Sequence, residues 1–218
     1  MLFLDEASEF RRDALQALRG PVEDGAVTIV RTKFAVTYPS RFQLVVATNP
    51  CPCGFFGDER KACTCQPGRL TAYNERLSGP ILDRIDLQVP VGRLRRGELL
   101  RSGAGDPSHV VRDRVIAARM RQHERLARYG MTTNADIPPQ MLDKLCRRTP
   151  VATRMLERQV EKMTLSARGA HRVLRVARTV ADLAGVEIID DGQVIAASAY
   201  KVLDVRATKE KDDEPERS

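Results

Sequence analysis

Tryptophan is absent from this sequence, and aromatic residues make up only 5% of it. Any core must therefore be built mainly from aliphatic side chains. No apolar run approaches the ~20 residues that cross a bilayer as a helix, which excludes a membrane-spanning helix. The opening residues lack the basic stretch of a secretory signal, so the expectation is a cytoplasmic protein with no membrane partner. Histidine is scarce, at three residues, and no Cys/His nucleophile pair is found. No internal repeat stands out. Charge, by contrast, is plentiful. Lys and Arg number 36 against 29 Asp and Glu, a net +7 over 218 residues, with most of the excess after Arg93. Such an excess fits an anionic partner or the solvated face of Arg-rich helices.

The first six residues, MLFLDE, organise the rest. Leu2, Phe3 and Leu4 run straight into Asp5 and Glu6. A short apolar run ending in paired carboxylates reads as a buried parallel strand with acids at its carboxyl end, where open α/β sheets bind ligands. In a nucleotide-hydrolysing site the first acid would hold Mg²⁺ and the second would orient or deprotonate the attacking water. The same residues also fit a strand entering an acid-capped helix.

Ser8 to Arg19 has helical spacing, with Gly20-Pro21 as its stop. Asp24-Gly25 is a hairpin-turn signal, followed by the strand-like Val27 to Val30 and a return over Lys33 to Tyr38. This hairpin carries Arg31 and Lys33, candidate contacts to a polymer backbone or simply a basic edge that blocks sheet pairing. Phe42 to Thr48 reads as a second buried strand ending in Asn49-Pro50. An amide there, beside a strand ending in Asp-Glu, could hydrogen-bond a γ-phosphate or the attacking water; a plain Asn-Pro turn is the other reading.

Four of the five cysteines lie within CPCGFFGDERKACTC. Cys51 and Cys53, then Cys63 and Cys65, form two C-x-C pairs with nine residues between them. Four thiolates in two pairs suit a closed structural Zn²⁺ site. Free thiols, two disulfides or a loop without metal remain open at this point. Arg69 to Leu77 reads as a helix and Ile85 to Val91 as a strand. Arg84 lies between Asp83 and Asp86, where a local ion pair is the simplest role.

Beyond this the pattern becomes purely helical: Ser108 to Tyr129, Gln140 to Cys146, Val151 to Met163, Ala167 to Ala184 and Gln193 to about Leu203. The expected organisation is an α/β lobe over 1–92, a linker at 93–107, a helical domain over 108–203 and a disordered polar tail at 204–218.

MLFLDE, LRGPVEDGAVTIVR, YPSRFQLVVATNPCPCG, SGPILDRIDL and LSARGAHRVLRVARTVADLAG occur in this order. Together they resemble the magnesium-chelatase-like AAA+ ATPases of the ComM/YifB family, bacterial proteins linked to DNA processing. The resemblance implies α/β followed by all-α, a partial AAA+ (P-loop NTPase) lobe with a carboxyl-terminal helical lid. It implies that Asp5 and Glu6 are the Walker B pair, metal-binding acid and catalytic base, and that Asn49 is sensor 1. Arg84 sits where the family carries its arginine finger. Arg168, with Arg172 as substitute, is the implied sensor 2. The hairpin with Arg31 and Lys33 resembles a pore-facing insertion that touches DNA. ATP, Mg²⁺, DNA and a homo-hexamer with active sites between protomers follow as expectations, with Zn²⁺ at the four cysteines.

One departure is plain. No G-x-x-x-x-G-K-S/T occurs in the chain, so the backbone cradle, the Lys and the Mg²⁺-binding hydroxyl of that loop are missing. In the family this loop lies upstream of Walker B. The expectation is therefore the carboxyl-terminal part of a longer protein, inactive alone. The alternative is a non-enzymatic zinc-containing nucleic-acid-binding or adaptor module. A metal-chelatase role has little in the residues to support it.

Overall fold

The computed structural model describes residues 1–58, 60–77, 81–92 and 105–200. The chain divides into two compact units, Met1–Ile85 and Asp86–Asp204. The Gly79-Pro80 turn, residues 93–104 of the expected linker, the end of the last expected helix and the tail lie outside the described residues.

In the first unit, β1 (Leu2–Leu4) pairs in parallel with β4 (Leu44–Val46), Leu4 opposite Val46. Flanking bonds extend the ladder: Leu2 N donates to the Gln43 carbonyl at 2.8 Å and Ala47 N to the Leu4 carbonyl at 2.8 Å. A 3₁₀ turn (Ala7–Glu9) leads to two short helices, α1 (Arg12–Ala17) and α2 (Arg19–Asp24). The expected single helix from Ser8 to Arg19 is thus divided, and Gly20-Pro21 does not end it. Pro21 sits in the first turn of α2, where a missing N–H removes no intrahelical bond.

The hairpin consists of β2 (Ala26–Arg31) and β3 (Phe34–Pro39), antiparallel with Arg31 opposite Phe34. It turns at Thr32-Lys33, not at Asp24-Gly25. Gly25 instead ends α2 in the left-handed conformation, φ 63°, which a glycine adopts without a Cβ clash. After β4, a long connection reaches α3 (Pro67–Leu77) and a 3₁₀ turn at Leu82–Arg84. Leu4, Ala7, Leu15, Leu77 and Ile81 form the buried core. The second strand is shorter than the expected Phe42 to Thr48, and its residues are only half-buried. Ile85 to Val91 forms no strand. Strand composition is not enough without a neighbouring edge, and the described sheets are both two-stranded.

The second unit is helical: α4 (Ser108–Leu126), α5 (Leu142–Leu145), α6 (Pro150–Lys162), α7 (Ala167–Ala184) and α8 (Asp191–Ala199). Caps set the boundaries. Thr149 accepts from Ala152 N at 3.1 Å with Pro150 next to it, and Ser166 accepts from Gly169 N at 3.2 Å. Asp190 and Gln193 form a reciprocal capping box. Leu126, Ile137, Val173, Ala177 and Val194 are fully or nearly fully buried in its core. Thr149 N donates to the Ile189 carbonyl and Ile189 N to the Arg147 carbonyl, both at 2.9 Å, tying the entry of α6 to the loop before α8.

A buried ionic network crosses this core. Asp182 is fully buried and takes Arg125 at both oxygens, at 2.9 and 2.7 Å, with Arg178 Nε at 3.1 Å and Asn134 Nδ2 at 2.9 Å. Arg178, 1% exposed, also donates to the Val186 carbonyl at 2.6 Å and to the Glu187 carbonyl. Burial lowers its pKa, and Asp182 offsets part of that. The charges are retained because every oxygen of Asp182 is bonded. Removing the carboxylate would leave two buried or half-buried guanidinium groups uncompensated. Asp182→Ala is expected to lower unfolding stability by about 3–5 kcal/mol in urea titration, whereas loss of the exposed Arg147–Glu187 pair in Glu187→Ala should leave the midpoint nearly in place.

Candidate functional site

The parallel register of β1 and β4 brings two strand tips side by side. Asp5 and Glu6 follow the last residue of β1; Thr48 and Asn49 follow the end of β4. Asp5, Glu6 and Asn49 are all exposed. Glu6 has φ 48° and ψ 44°, a left-handed conformation rare for a residue with a side chain and costing on the order of 1–2 kcal/mol. It is held by its neighbours. Glu6 N donates to Asp5 Oδ1 at 2.9 Å, Ala7 N to the Ala47 carbonyl at 2.9 Å, and Glu9 N to the Glu6 carbonyl at 2.8 Å. Two more contacts fix the turn. The Ser8 and Thr48 hydroxyls meet at 2.5 Å, and Arg76 from α3 donates to the Ser8 carbonyl at 2.9 Å. None of Ser8, Thr48 and Arg76 is signalled by a motif; only the Ser at two residues past Glu6 and the Thr just before Asn49 hint at a link between the tips.

Arg84 lies in the same unit, on the 3₁₀ turn after α3. The sequence suggests a local pair with Asp83 or Asp86; the Asp83 side chain lies outside the described residues, and among the described ones Arg84 Nε donates to Glu23 Oε2 at 3.0 Å, with Nη2 also on that oxygen. Asp86 instead meets Arg172, Nε to Oδ1 at 3.5 Å. Arg31 closes β2 and Lys33 stands in the hairpin turn, both exposed. Arg168 and Arg172 belong to the second unit. Arg168 is exposed in the first turn of α7, and Arg172, one turn on, is only 6% exposed.

The four clustered cysteines converge. Their sulfurs all lie within 4.8 Å of one another. Cys51 Sγ is 3.3 Å from Cys53 Sγ and 3.7 Å from Cys63 Sγ, and Cys53 to Cys63 is 3.5 Å. All are free thiols, too far apart for the ~2.05 Å of a disulfide bond. A tetrahedral metal with sulfur ligands at ~2.3 Å requires sulfur–sulfur edges of ~3.8 Å, which this cluster nearly matches. Two knuckle turns shape it: Gly54 at φ 77° and Gly57 at φ 79°, with Phe56 N donating to Cys51 Sγ at 3.3 Å and Cys65 N to Cys63 Sγ at 3.5 Å. Protonation is uneven across the set. Backbone N–H groups of Thr64 and Phe55 bring the Cys53 thiol down to about 5. At Cys63 the Cys65 N–H pulls the other way, but desolvation and the neighbouring sulfurs push it up to about 12. A bound cation would favour the ionised form of its sulfur ligands. Cys146 has no part in this; burial in the helical core raises its pKa to about 11.

Paired carboxylates and an amide follow adjacent parallel strand tips in a mixed α/β unit, and a helical unit comes after it. The comparisons with known proteins specify the chain further. The family model described as magnesium chelatase, subunit ChlI, matches residues 1–99, and that of the ChlI C-terminal region matches residues 105–201. The chain belongs to this magnesium-chelatase-like family, in its ComM/YifB branch. It is 37% identical over 204 residues to the competence protein ComM of Haemophilus influenzae and 38% over 205 residues to the uncharacterized protein YifB of Escherichia coli. It is also 39% identical over 206 residues to an uncharacterized protein of Mycobacterium tuberculosis. These alignments cover 93%, 94% and 94% of this chain but 39%, 39% and 40% of the relatives. The chain therefore spans about 40% of the length of the curated relatives it matches. Among the described residues, no helix is long and apolar enough to cross a membrane.

The sulfur geometry generates a direct test. Elemental analysis of the chain purified without chelator should give about one metal ion per molecule, lost in Cys51→Ser and kept in Cys146→Ala.

Proposed function

We propose that this chain supplies the Walker B to sensor 2 portion of a ring-forming, ATP-driven DNA-remodelling motor. The observation that carries the reading is the shared strand end, with Asp5 and Glu6 on one tip and Asn49 on the hydrogen-bonded neighbour. In this reading Asp5 holds Mg²⁺, directly or through water, and Glu6 orients and deprotonates the attacking water. Bound Mg²⁺ would neutralise charge on the phosphate oxygens. Asn49 donates its amide to the γ-phosphate or the water. Arg84 reaches the nucleotide of a neighbouring protomer in a homo-hexamer. Arg168 fits the sensor 2 role better than Arg172, because it is exposed at a helix start while Arg172 is buried and paired with Asp86. The hairpin tip, with Arg31 and Lys33, contacts DNA. The cysteine cage holds a structural Zn²⁺; its four sulfur donors leave no open position for catalysis.

No phosphate-cradling loop occurs in these 218 residues, so the chain alone should hydrolyse no ATP above a Glu6→Gln control. Joined behind the upstream segment of the Haemophilus relative, which by family resemblance carries that loop, it should turn over ATP. Glu6→Gln should then cut kcat at least ~100-fold with little change in KM. Equal turnover in Glu6→Gln would end the motor reading. Binding of single-stranded DNA should weaken steeply with salt, and Arg31→Ala with Lys33→Ala should flatten that slope by about two phosphate contacts. Nucleotide-independent DNA binding without turnover in any form would favour the adaptor alternative.

A further inference from the structure

Both strands of the β2–β3 hairpin are fastened to α2. Gly25, which ends α2, donates its N–H to the Pro21 carbonyl at 3.1 Å and leads directly into β2. From the far end of β3, Ser40 N donates to the Gly25 carbonyl at 2.8 Å and Ser40 Oγ to the Pro21 carbonyl at 3.4 Å. The joint is closely packed, since a Cβ on Gly25 would lie 3.1 Å from Arg41 Cγ. Thr28 and Thr37 hydroxyls, 2.9 Å apart, tie the two strands further out. Besides the chain itself at Gly25, two hydrogen bonds from Ser40 therefore tie the hairpin to the last turn of α2.

Glu23 stands on that turn. Its Oε2 accepts from Arg84 Nε at 3.0 Å and from Nη2. Two donors on one carboxylate oxygen fix the direction of a guanidinium more firmly than a single contact. The pair is not a loose surface bridge: the Arg84 side chain is 13% exposed and that of Glu23 36%. Its separation in sequence is 61 residues, so the contact fixes the turn carrying Arg84 against the base of the hairpin.

We propose that Glu23 is the positioning residue for Arg84, and that α2 relays the state of the hairpin to it. A polyanion seated on Arg31 and Lys33 shifts the hairpin, the shift moves α2, and Glu23 re-aims the Arg84 guanidinium. The inference rests on the reading of Arg84 as the arginine offered to a neighbouring nucleotide. A misplacement of ~1 Å in such a group costs on the order of 100-fold in rate, so a small movement suffices.

The test uses the 218-residue chain first. The Arg84 Nε–H resonance, identified by its loss in Arg84→Lys, should be set apart from those of exposed arginines. It should move on addition of a single-stranded DNA oligonucleotide. The near-isosteric Glu23→Gln should move it from its wild-type position and abolish the oligonucleotide-induced shift. In the ATP-hydrolysing fusion, Glu23→Gln should lower DNA-stimulated kcat by about 10- to 100-fold without changing KM for ATP. An Arg84 signal indifferent to Glu23→Gln, or an oligonucleotide shift that survives it, overturns the proposal. So does DNA stimulation that is intact in Glu23→Gln while Arg84→Ala abolishes turnover. Full turnover in Arg84→Ala would instead remove the arginine-finger reading itself, and the relay with it. An oligonucleotide that leaves the Arg31 and Lys33 signals unmoved overturns the relay, while the Glu23 dependence of Arg84 still reports the static contact.

Discussion

The parallel ladder between β1 and β4 is the constraint on which the candidate site depends. It is only three residues long on each side, yet it sets which groups share a strand end. A slip of one residue would turn every side chain of β1 to the opposite face, moving Leu4 out of the core and Asp5 away from its present tip. The register is held at both ends by backbone bonds, from Leu2 to Gln43 and from Ala7 to Ala47. That second bond lies just beyond Glu6, so the left-handed conformation of Glu6 is enclosed between two fixed points. Strain of this kind persists only where the surroundings over-determine it. Here the Ser8–Thr48 hydroxyl contact and the Arg76 bond to the Ser8 carbonyl complete the enclosure. The strained residue is also the one proposed as base, which is where such strain is most often kept.

The second unit is organised on a different principle. Its helices carry ordinary apolar cores, but the Asp182 network selects one arrangement among the several that apolar packing would tolerate. Arg178 reaches past the end of its own helix to the Val186 and Glu187 carbonyls, fixing the path of the chain after Gly185. Asn134, which donates to both Thr179 and Asp182, holds the loop between α4 and α5 on the same centre. Arg168 lies three turns away along α7 and takes no part in this network. The helix thus has one end buried among charges and the other exposed at Arg168.

Local features were legible in the sequence and partner choices were not. The strand ending in Asp5-Glu6, the helix over Ala167–Ala184 and the convergence of four cysteines all follow from short-range pattern. Gly25 shows the limit: Asp-Gly suits both a hairpin turn and a helix end, and only the packing of α2 decides. Pro21 shows another, since a proline that stops one helix can open the next. Ile85 to Val91 has strand composition but no edge to pair with among the described strands. Arg84 is flanked by two acids, and its bond to Glu23, 61 residues away, is announced by nothing local. The Arg178–Asp182 pair sits at helix spacing and reads as a surface pair. Nothing local says that Arg125 and Asn134 will close over it.

The connection from β4 to α3, between Val46 and Pro67, contains no regular helix or strand among its described residues. Loops of that length inside a compact unit are uncommon unless something orders them. The apolar contribution here is small: of the four cluster cysteines only Cys51 is buried, and Lys61 stacks over the Phe55 ring at 4.0 Å. Asp58 Oδ1 accepts from Arg60 N at 2.8 Å and Lys61 N at 3.1 Å; four sulfurs gathered from both ends of the segment add to this, and a metal joining them would close the loop by cross-linking Cys51 to Cys65. Closing a loop of this size removes conformational freedom from the unfolded chain. Cys51 comes two residues after Asn49, so the fixed point created by the cage lies immediately beyond the strand tip. A metal at the four sulfurs would then order the cysteine loop and, through it, the chain immediately after Asn49.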